Sequence, residues 1–251
     1  MFDLRQFASL APAWYQRLHY HEQLSSTNDE ARRMAVEGAE HGTVVLADHQ
    51  QAGRGRRGAS WISGPGDGLL FSIVLRPEFE QSQWSRIALV TGLGIVTALK
   101  QSLSVATQVK WPNDIYIRER KCAGILAEAR EDFVVVGVGI NVIASPDAEA
   151  GSIATIALSD VTGEQVSRER VFAAVLEAIL VEVGSCGEDF GRQAERLREV
   201  CYLAGKLIEF TAGEKRLAGK VHGIGEDGSL MIEVDGELRA YSQAAEIRVV
   251  S

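Results

Sequence analysis

Residues 53 to 58 read Gly53-Arg54-Gly55-Arg56-Arg57-Gly58, three glycines interleaved with three arginines in a 251-residue chain of formal net charge −8. Guanidinium groups this close repel one another and do not shed their protons, so a bound anion is what relieves them. Glycine admits positive φ and lets backbone N–H groups come near an anion. The segment therefore reads as a phosphate clamp, with a solvated basic loop as the alternative. The same letters spell G-x-G-x-x-G, but the dinucleotide fingerprint needs a helix opening at its third glycine. Past Gly58 the chain runs from Ala59 to Gly68, with three glycines and a proline between Gly64 and Gly68, which forbids a regular helix. A long irregular loop carrying charge is more often an active-site element than a connector.

Two other segments carry chemistry. Lys110-Trp111-Pro112-Asn113-Asp114 is followed by Lys121-Cys122-Ala123-Gly124-Ile125-Leu126. Polar residues at strand ends beside a proline break project from a rigid sheet into a cleft. Asp114 and Lys121, on two arms of a tight hairpin, can face each other as catalytic groups or as a surface ion pair worth roughly 0–1 kcal/mol. Spacing leaves both readings open. In Val135-Val136-Gly137-Val138-Gly139-Ile140-Asn141 the two glycines recur at period two, so a ligand ring or another backbone comes close to one face of that strand. Asn141 ends the strand, either reading a nucleotide edge or closing a turn.

These groups need a frame. Trp14 to Gln23 alternates like a strand and leads to a capping box with Thr27 as cap and Glu30 three residues on. The helix so opened ends at Gly38, a left-handed position, and a strand at 43 to 47 comes next. Leu69 to Leu75 reads as a buried strand stopped by Pro77, and 81 to 103 as one long apolar helix. The section from Gln108 to Val142 is β-rich, with a hairpin turn at Arg118 to Arg120, and a helix over 167 to 183 covers the sheet. Short strands at 206–210, 216–221, 230–234 and 237–241 predict a small C-terminal barrel. The class is α+β: a mixed β-sheet domain covered by helices over 1–203, and a barrel domain over 204–251.

Composition excludes other classes. An apolar content of 46% suits a full core. Positive charge is local in an acidic chain, so no nucleic acid is expected as partner. Cys122, Cys186 and Cys201 are an odd number without C-x-x-C spacing, which fits a reducing compartment and a cytoplasmic location. No apolar leader or stretch of transmembrane length is visible, so no membrane is expected either.

Together the segments resemble the biotin protein ligases. The resemblance rests on Ser25-Ser26-Thr27-Asn28, on Gln50-Gln51-Ala52 leading into Gly53 to Gly58 with Trp61, on Lys110 to Asp114, on Lys121 to Leu126, and on Gly137 to Asn141. These five blocks fall in family order across about residues 20 to 145. The resemblance implies a class II aminoacyl-tRNA synthetase/biotin ligase-like catalytic domain with an SH3-like C-terminal barrel. It implies ATP, biotin and Mg²⁺, formation of biotinyl-5′-AMP with release of pyrophosphate, and transfer to a lysine of a biotin carboxyl carrier protein such as the biotinyl domain of acetyl-CoA carboxylase. Carried over residue by residue, Ser26, Thr27, Asn28, Gln50, Gly53, Arg54, Gly55, Arg56, Lys121 and Gly124 bind biotin. Arg54, Arg56, Arg57, Trp61, Lys110, Asn113, Asp114, Lys121 and Asn141 bind ATP, and Lys121, Arg56 and Asp114 are catalytic. Trp61 and Trp111 pack on a ligand ring or belong to the core. Metal ligands are not assigned, and exposed strand edges leave a homodimer open. Ser25 stands where some relatives have aspartate, and Cys122 where some have leucine. Only some two dozen residues precede Ser25, so a winged helix-turn-helix and direct repression are not expected. A lipoate or octanoate ligase and a non-catalytic biotin sensor are the rival readings.

Overall fold

A computed structural model describes residues 1–146 and 153–250. In chain order it contains α1 (Leu4–Leu10), α2 (Pro12–Tyr15), β1 (Leu18–Leu24), α3 (Thr27–Val36), β2 (Thr43–Gln50), β3 (Gly68–Leu75), α4 (Ile87–Leu103), β4 (Gln108–Lys110), β5 (Asp114–Ile117), β6 (Arg120–Ala129) and β7 (Val134–Asn141). It continues with α5 (Leu158–Thr162), α6 (Arg168–Ser185), α7 (Phe190–Glu199), β8 (Leu207–Ala212), β9 (Lys215–Ile224), β10 (Leu230–Val234), β11 (Glu237–Tyr241) and β12 (Ala245–Val249). The first seven strands form one mixed sheet in the order β1-β2-β3-β7-β6-β5-β4, with only β1 and β2 parallel. The last five form an antiparallel sheet in the order β11-β10-β9-β8-β12, consistent with an SH3-like barrel.

Strands β3 and β7 are buried along their whole length because both faces of the sheet are covered. Leu69, Phe71, Ile73 and Leu75 alternate onto the face shared with Val134, Val136, Val138 and Ile140, where α4 and α6 supply Leu93, Val96, Val175 and Ile179. On the other face Val45, Val74 and Val135 meet Ala31 and Ala35 of α3. Helix α3 covers only part of that face. Along β7 and β6 the same face continues as Gly137, Gly139 and Gly124, and there it forms the floor of a cavity.

Helices α4 and α6 cross at Gly94. A Cβ there would stand 2.8 Å from Ile179 Cα and 2.9 Å from Ile179 N, which are backbone atoms that cannot swing aside. We expect Gly94→Val to destabilise the protein by about 1–3 kcal/mol, seen in a thermal melt as a drop in Tm of roughly 2–12 °C.

The N-terminal segment belongs to the same core. Phe2, Phe7, Phe71 and Phe172 pack ring against ring at 5.0–5.6 Å. Beside them Asp48 accepts from Phe2 N at 3.0 Å, from the Tyr20 hydroxyl at 2.7 Å and from Arg168 Nη1 at 2.7 Å.

Several sequence expectations are corrected here. Trp14 and Tyr15 are helical, because Pro12 starts a short turn, and the strand begins only at Leu18. Thr27 is the first residue of α3 and Ser26 is its cap; the Thr27 hydroxyl turns instead to Gln50. Residues 81–86 form a 3-10 turn before α4 rather than its first turns. Gly38 has φ 97°, the left-handed position expected after α3. Helix α7 and strand β12 were not foreseen.

Candidate active site

The cavity of about 330 Å³ lies between the glycine floor, the loop after β2, the β4–β6 hairpin and the C-terminal sheet. Its lining brings together Ser26, Thr27, Asn28, Gln50, Arg54, Gly55, Arg56, Arg57, Trp61, Lys110, Asn113, Asp114, Lys121 and Gly124. Gly53 stands just behind, where a Cβ would strike the Trp61 carbonyl. Asn141 is not among the lining residues; it is 1% exposed at the end of β7, with Oδ1 unpartnered.

The glycine–arginine segment folds as a narrow hairpin. Trp61 N donates to Gly53 O at 2.9 Å, Gly55 N to Ala59 O at 2.6 Å, and Arg54 bridges Ser60. The tip is a 3-10 turn in which Arg57 and Gly58 have φ 56° and 77°. No α-helix opens there, as the exclusion of a dinucleotide fold required.

The three arginines have different partners. Arg54 Nη2 lies 2.6 Å from Glu128 Oε2 and 3.0 Å from Asp29 Oδ1. Arg57 Nη2 donates to Ala244 O, in the loop between β11 and β12, at 3.1 Å. Arg56 Nη1 donates to Asn113 Oδ1 at 2.9 Å, and Asn113 in turn donates to Ile125 O at 2.8 Å. Desolvation, and then the neighbouring Arg57, lower the Arg56 pKa from its ordinary value, a direction that an incoming anion opposes.

Opposite stands the hairpin pair. The β5–β6 register sets Asp114 opposite Gly124, and Lys121 Nζ reaches Asp114 Oδ1 at 2.7 Å. Lys121 Nζ also lies 5.4 Å from the Trp61 ring centroid. Lys110 donates to the Tyr116 hydroxyl at 3.1 Å, and burial holds its ammonium below the usual lysine range.

The third wall is neutral and polar. Thr27 N and Oγ1 both donate to Gln50 Oε1, at 2.7 and 3.0 Å. Ser72 Oγ lies 2.8 Å from Thr27 Oγ1 and donates to Asn28 Oδ1 at 2.6 Å. The strand glycines have their explanation here. Asn28 lies against Gly137, and the Trp61 indole lies on Gly139 and Gly124, where any Cβ would collide. Trp61 thus lines the cavity; Trp111, 4% exposed and part of the core, also borders it and donates to Gly228 O at 3.0 Å in the turn between β9 and β10.

Sequence reasoning missed Ser72, Glu128 and the barrel residues Ala244, Glu246 and Ile247, which also line or support the cavity. Ser72 had a signal: it is the lone polar residue in an otherwise apolar strand. Glu128 had a weaker one, since it follows Gly124 and Leu126 at period two.

Such a sheet and cavity place the molecule in a class of ATP-dependent ligases, as comparison with known proteins bears out. The chain belongs to the Biotin/lipoate A/B protein ligase family, whose profile matches residues 20–142, and within it to the biotin protein ligases. It is 34% identical over 245 residues to the bifunctional ligase/repressor BirA of Bacillus subtilis, covering 92% of this chain and 74% of that protein. It is 30% identical over 234 residues to the biotin--[acetyl-CoA-carboxylase] ligase of Mycobacterium tuberculosis, covering 90% and 86%. A solved biotin protein ligase from Aquifex aeolicus in complex with biotin and ATP superposes with a TM-score of 0.81 at 30% identity, covering 93% of this chain and 98% of that one. Among the described residues no helix is long and apolar enough to cross a membrane.

Proposed function

We propose that the chain activates biotin with ATP and passes it to a carrier lysine through this cavity. The observation that carries the reading is the pairing, within one cavity, of a neutral donor–acceptor wall with a cationic wall. A ureido ring offers one carbonyl and two N–H groups, and Ser26, Thr27, Asn28 and Gln50 match it as a long apolar tunnel for lipoate would not. In the first step a biotin carboxylate oxygen bonds to the α-phosphorus of ATP, and the bond to pyrophosphate breaks. Both reactants are anions, so the barrier is largely electrostatic, and Arg56 and Lys121 lie where they stabilise the charge. Trp61 supplies a flat surface for adenine. In the second step the carrier amine attacks the acyl carbon, AMP leaves with the bonding electrons, and the amine gives up a proton. Asp114 is the base or the group that orients the amine.

Magnesium fits as a companion of ATP. Among the described residues no group of three or more His, Cys, Asp or Glu is placed to hold a metal. Mg²⁺ is commonly held by one or two carboxylates together with substrate phosphates, and Asp114 is a carboxylate that lines the cavity beside Lys121. For the carrier we assign the edge of β6 beyond Ile125, which β5 is too short to cover. A second copy of this chain would compete for that edge.

The test is ATP–pyrophosphate exchange with MgATP and, in turn, biotin, lipoate and octanoate, followed by transfer of labelled biotin to a recombinant biotinyl domain. Exchange that depends on biotin alone, followed by transfer, is the expected outcome. Exchange with lipoate instead would reassign the substrate, and none with any acid would leave a binding protein.

A further inference from the structure

Glu128 has no place in the chemistry above, yet it is tied to the cavity wall more closely than several residues that have one. It stands on the face of β6 that carries Gly124 and Leu126, and its Oε2 accepts from Asn28 Nδ2 at 2.9 Å and from Arg54 Nη2 at 2.6 Å. Its other oxygen accepts from Arg54 Nη1 at 3.2 Å, with Arg32 Nη1 3.8 Å away. An ionised carboxylate only accepts, so the Asn28 amide must turn its NH₂ toward Glu128. Its Oδ1 then lies over Gly137, where the Ser72 hydroxyl donates to one lone pair. Turned the other way, the amide would put its oxygen against a carboxylate and lose two hydrogen bonds. Burial would raise the Glu128 pKa, but hydrogen bonds from Asn28 and Arg54 outweigh it and hold the group below the usual glutamate range.

We propose that Glu128 is a positioning residue: held by Arg54, its carboxylate fixes the Asn28 amide with Oδ1 over Gly137, and so sets an acceptor for an N–H of the substrate ring. Arg54 on this account tethers the foot of the glycine–arginine hairpin to the ring-binding wall, and the cationic role toward phosphate falls mainly to Arg56. The proposal rests on the reading of the cavity as a biotin site and adds to it a residue that never touches the substrate.

Glu128→Ala and Glu128→Gln test it, with biotin titrated by calorimetry and the KM values for biotin and ATP measured separately in the exchange assay. Glu128→Ala is expected to weaken biotin binding at least tenfold and to change the KM for ATP by no more than about threefold. Glu128→Gln, equal in size and still able to accept from Asn28 through its amide oxygen but without the charge that holds Arg54, is expected to weaken biotin binding by about twofold to tenfold. A purely structural role would lower Tm and move both substrate constants together, and that result would overturn the proposal. So would a biotin Kd within twofold of wild type in either variant, and the glutamine form decides alone if the alanine form does not fold. If wild type itself binds no biotin, the reading of the site fails first and this inference with it; if wild type binds biotin and the variants match it, only the inference fails.

Discussion

Lys121→Met is expected to cut biotin-dependent ATP–pyrophosphate exchange by about 10²–10³, because it removes a fixed donor from the point where two anions must meet. Methionine keeps the unbranched stem, which packs beside Trp61 and Gly124, and loses only the ammonium. Lys121 cannot be replaced by a neighbour. Lys110 is occupied with Tyr116, Arg54 with Glu128 and Arg57 with a backbone carbonyl. Asp114 sits 2.7 Å from the ammonium, so the two single changes should not be additive. Asp114→Asn separates the steps: if Asp114 serves the incoming amine, transfer from preformed biotinyl-5′-AMP slows more than adenylate formation does. Stopped-flow adenylate formation and single-turnover transfer measure the two. Exchange in Lys121→Met within threefold of wild type would remove Lys121 from the chemistry.

The second large effect lies in stability. Asp48 and Arg168 form a buried pair, each 7% exposed, in which one carboxylate also serves the Phe2 backbone and the Tyr20 hydroxyl. It ties the N-terminal segment, β1, β2 and α6 together. Removing one partner leaves the other charge buried and alone, so Arg168→Met is expected to cost about 3–5 kcal/mol in urea unfolding. Changing both residues together should cost less than the sum. Burial pushes the Asp48 carboxyl up, but the bonds from Tyr20, Arg168 and Phe2 prevail and its pKa in the folded state is lowered. Such a group contributes fully above its unfolded value of about 3.9 and loses that contribution as pH falls through the folded value. Asp48→Asn should therefore be less stable than wild type at neutral pH, and the gap should narrow only as the pH drops below about 4. A constant gap across that range would mean that the carboxylate's charge is not what matters.

Much of the site was legible because its signals are contiguous. The glycine–arginine run, the Lys110–Asp114 block and the paired strand glycines announce an anion, a cleft and a close approach from residue type and spacing alone. The Asp114–Lys121 pairing was legible too, because a hairpin turn of Arg118 and Glu119, with φ 46° and 67°, joins the two strands directly. Where expectation failed, a long-range partner overruled a local rule. Thr27 has the local sequence of a helix cap, yet Gln50, 23 residues on, takes its hydroxyl, and the cap moves to Ser26.

By itself the sequence determined the chemistry on offer: three fixed positive charges on a flexible backbone, a lysine and an aspartate on adjoining strands, and a run of neutral polar groups before a helix. Only the tertiary structure decided which of these groups work together. Asn28 and Glu128 meet across 100 residues because β7 lies between β3 and β6, and that strand order is not written in any local pattern. Tertiary contacts likewise divide the arginines, giving Arg54 to Glu128, Arg57 to the β11–β12 loop, and Arg56 to Asn113 on the cavity wall. The physical reason is that residue type sets what a side chain can bond to, whereas strand order, by bringing distant segments into register, sets which bonds are within reach.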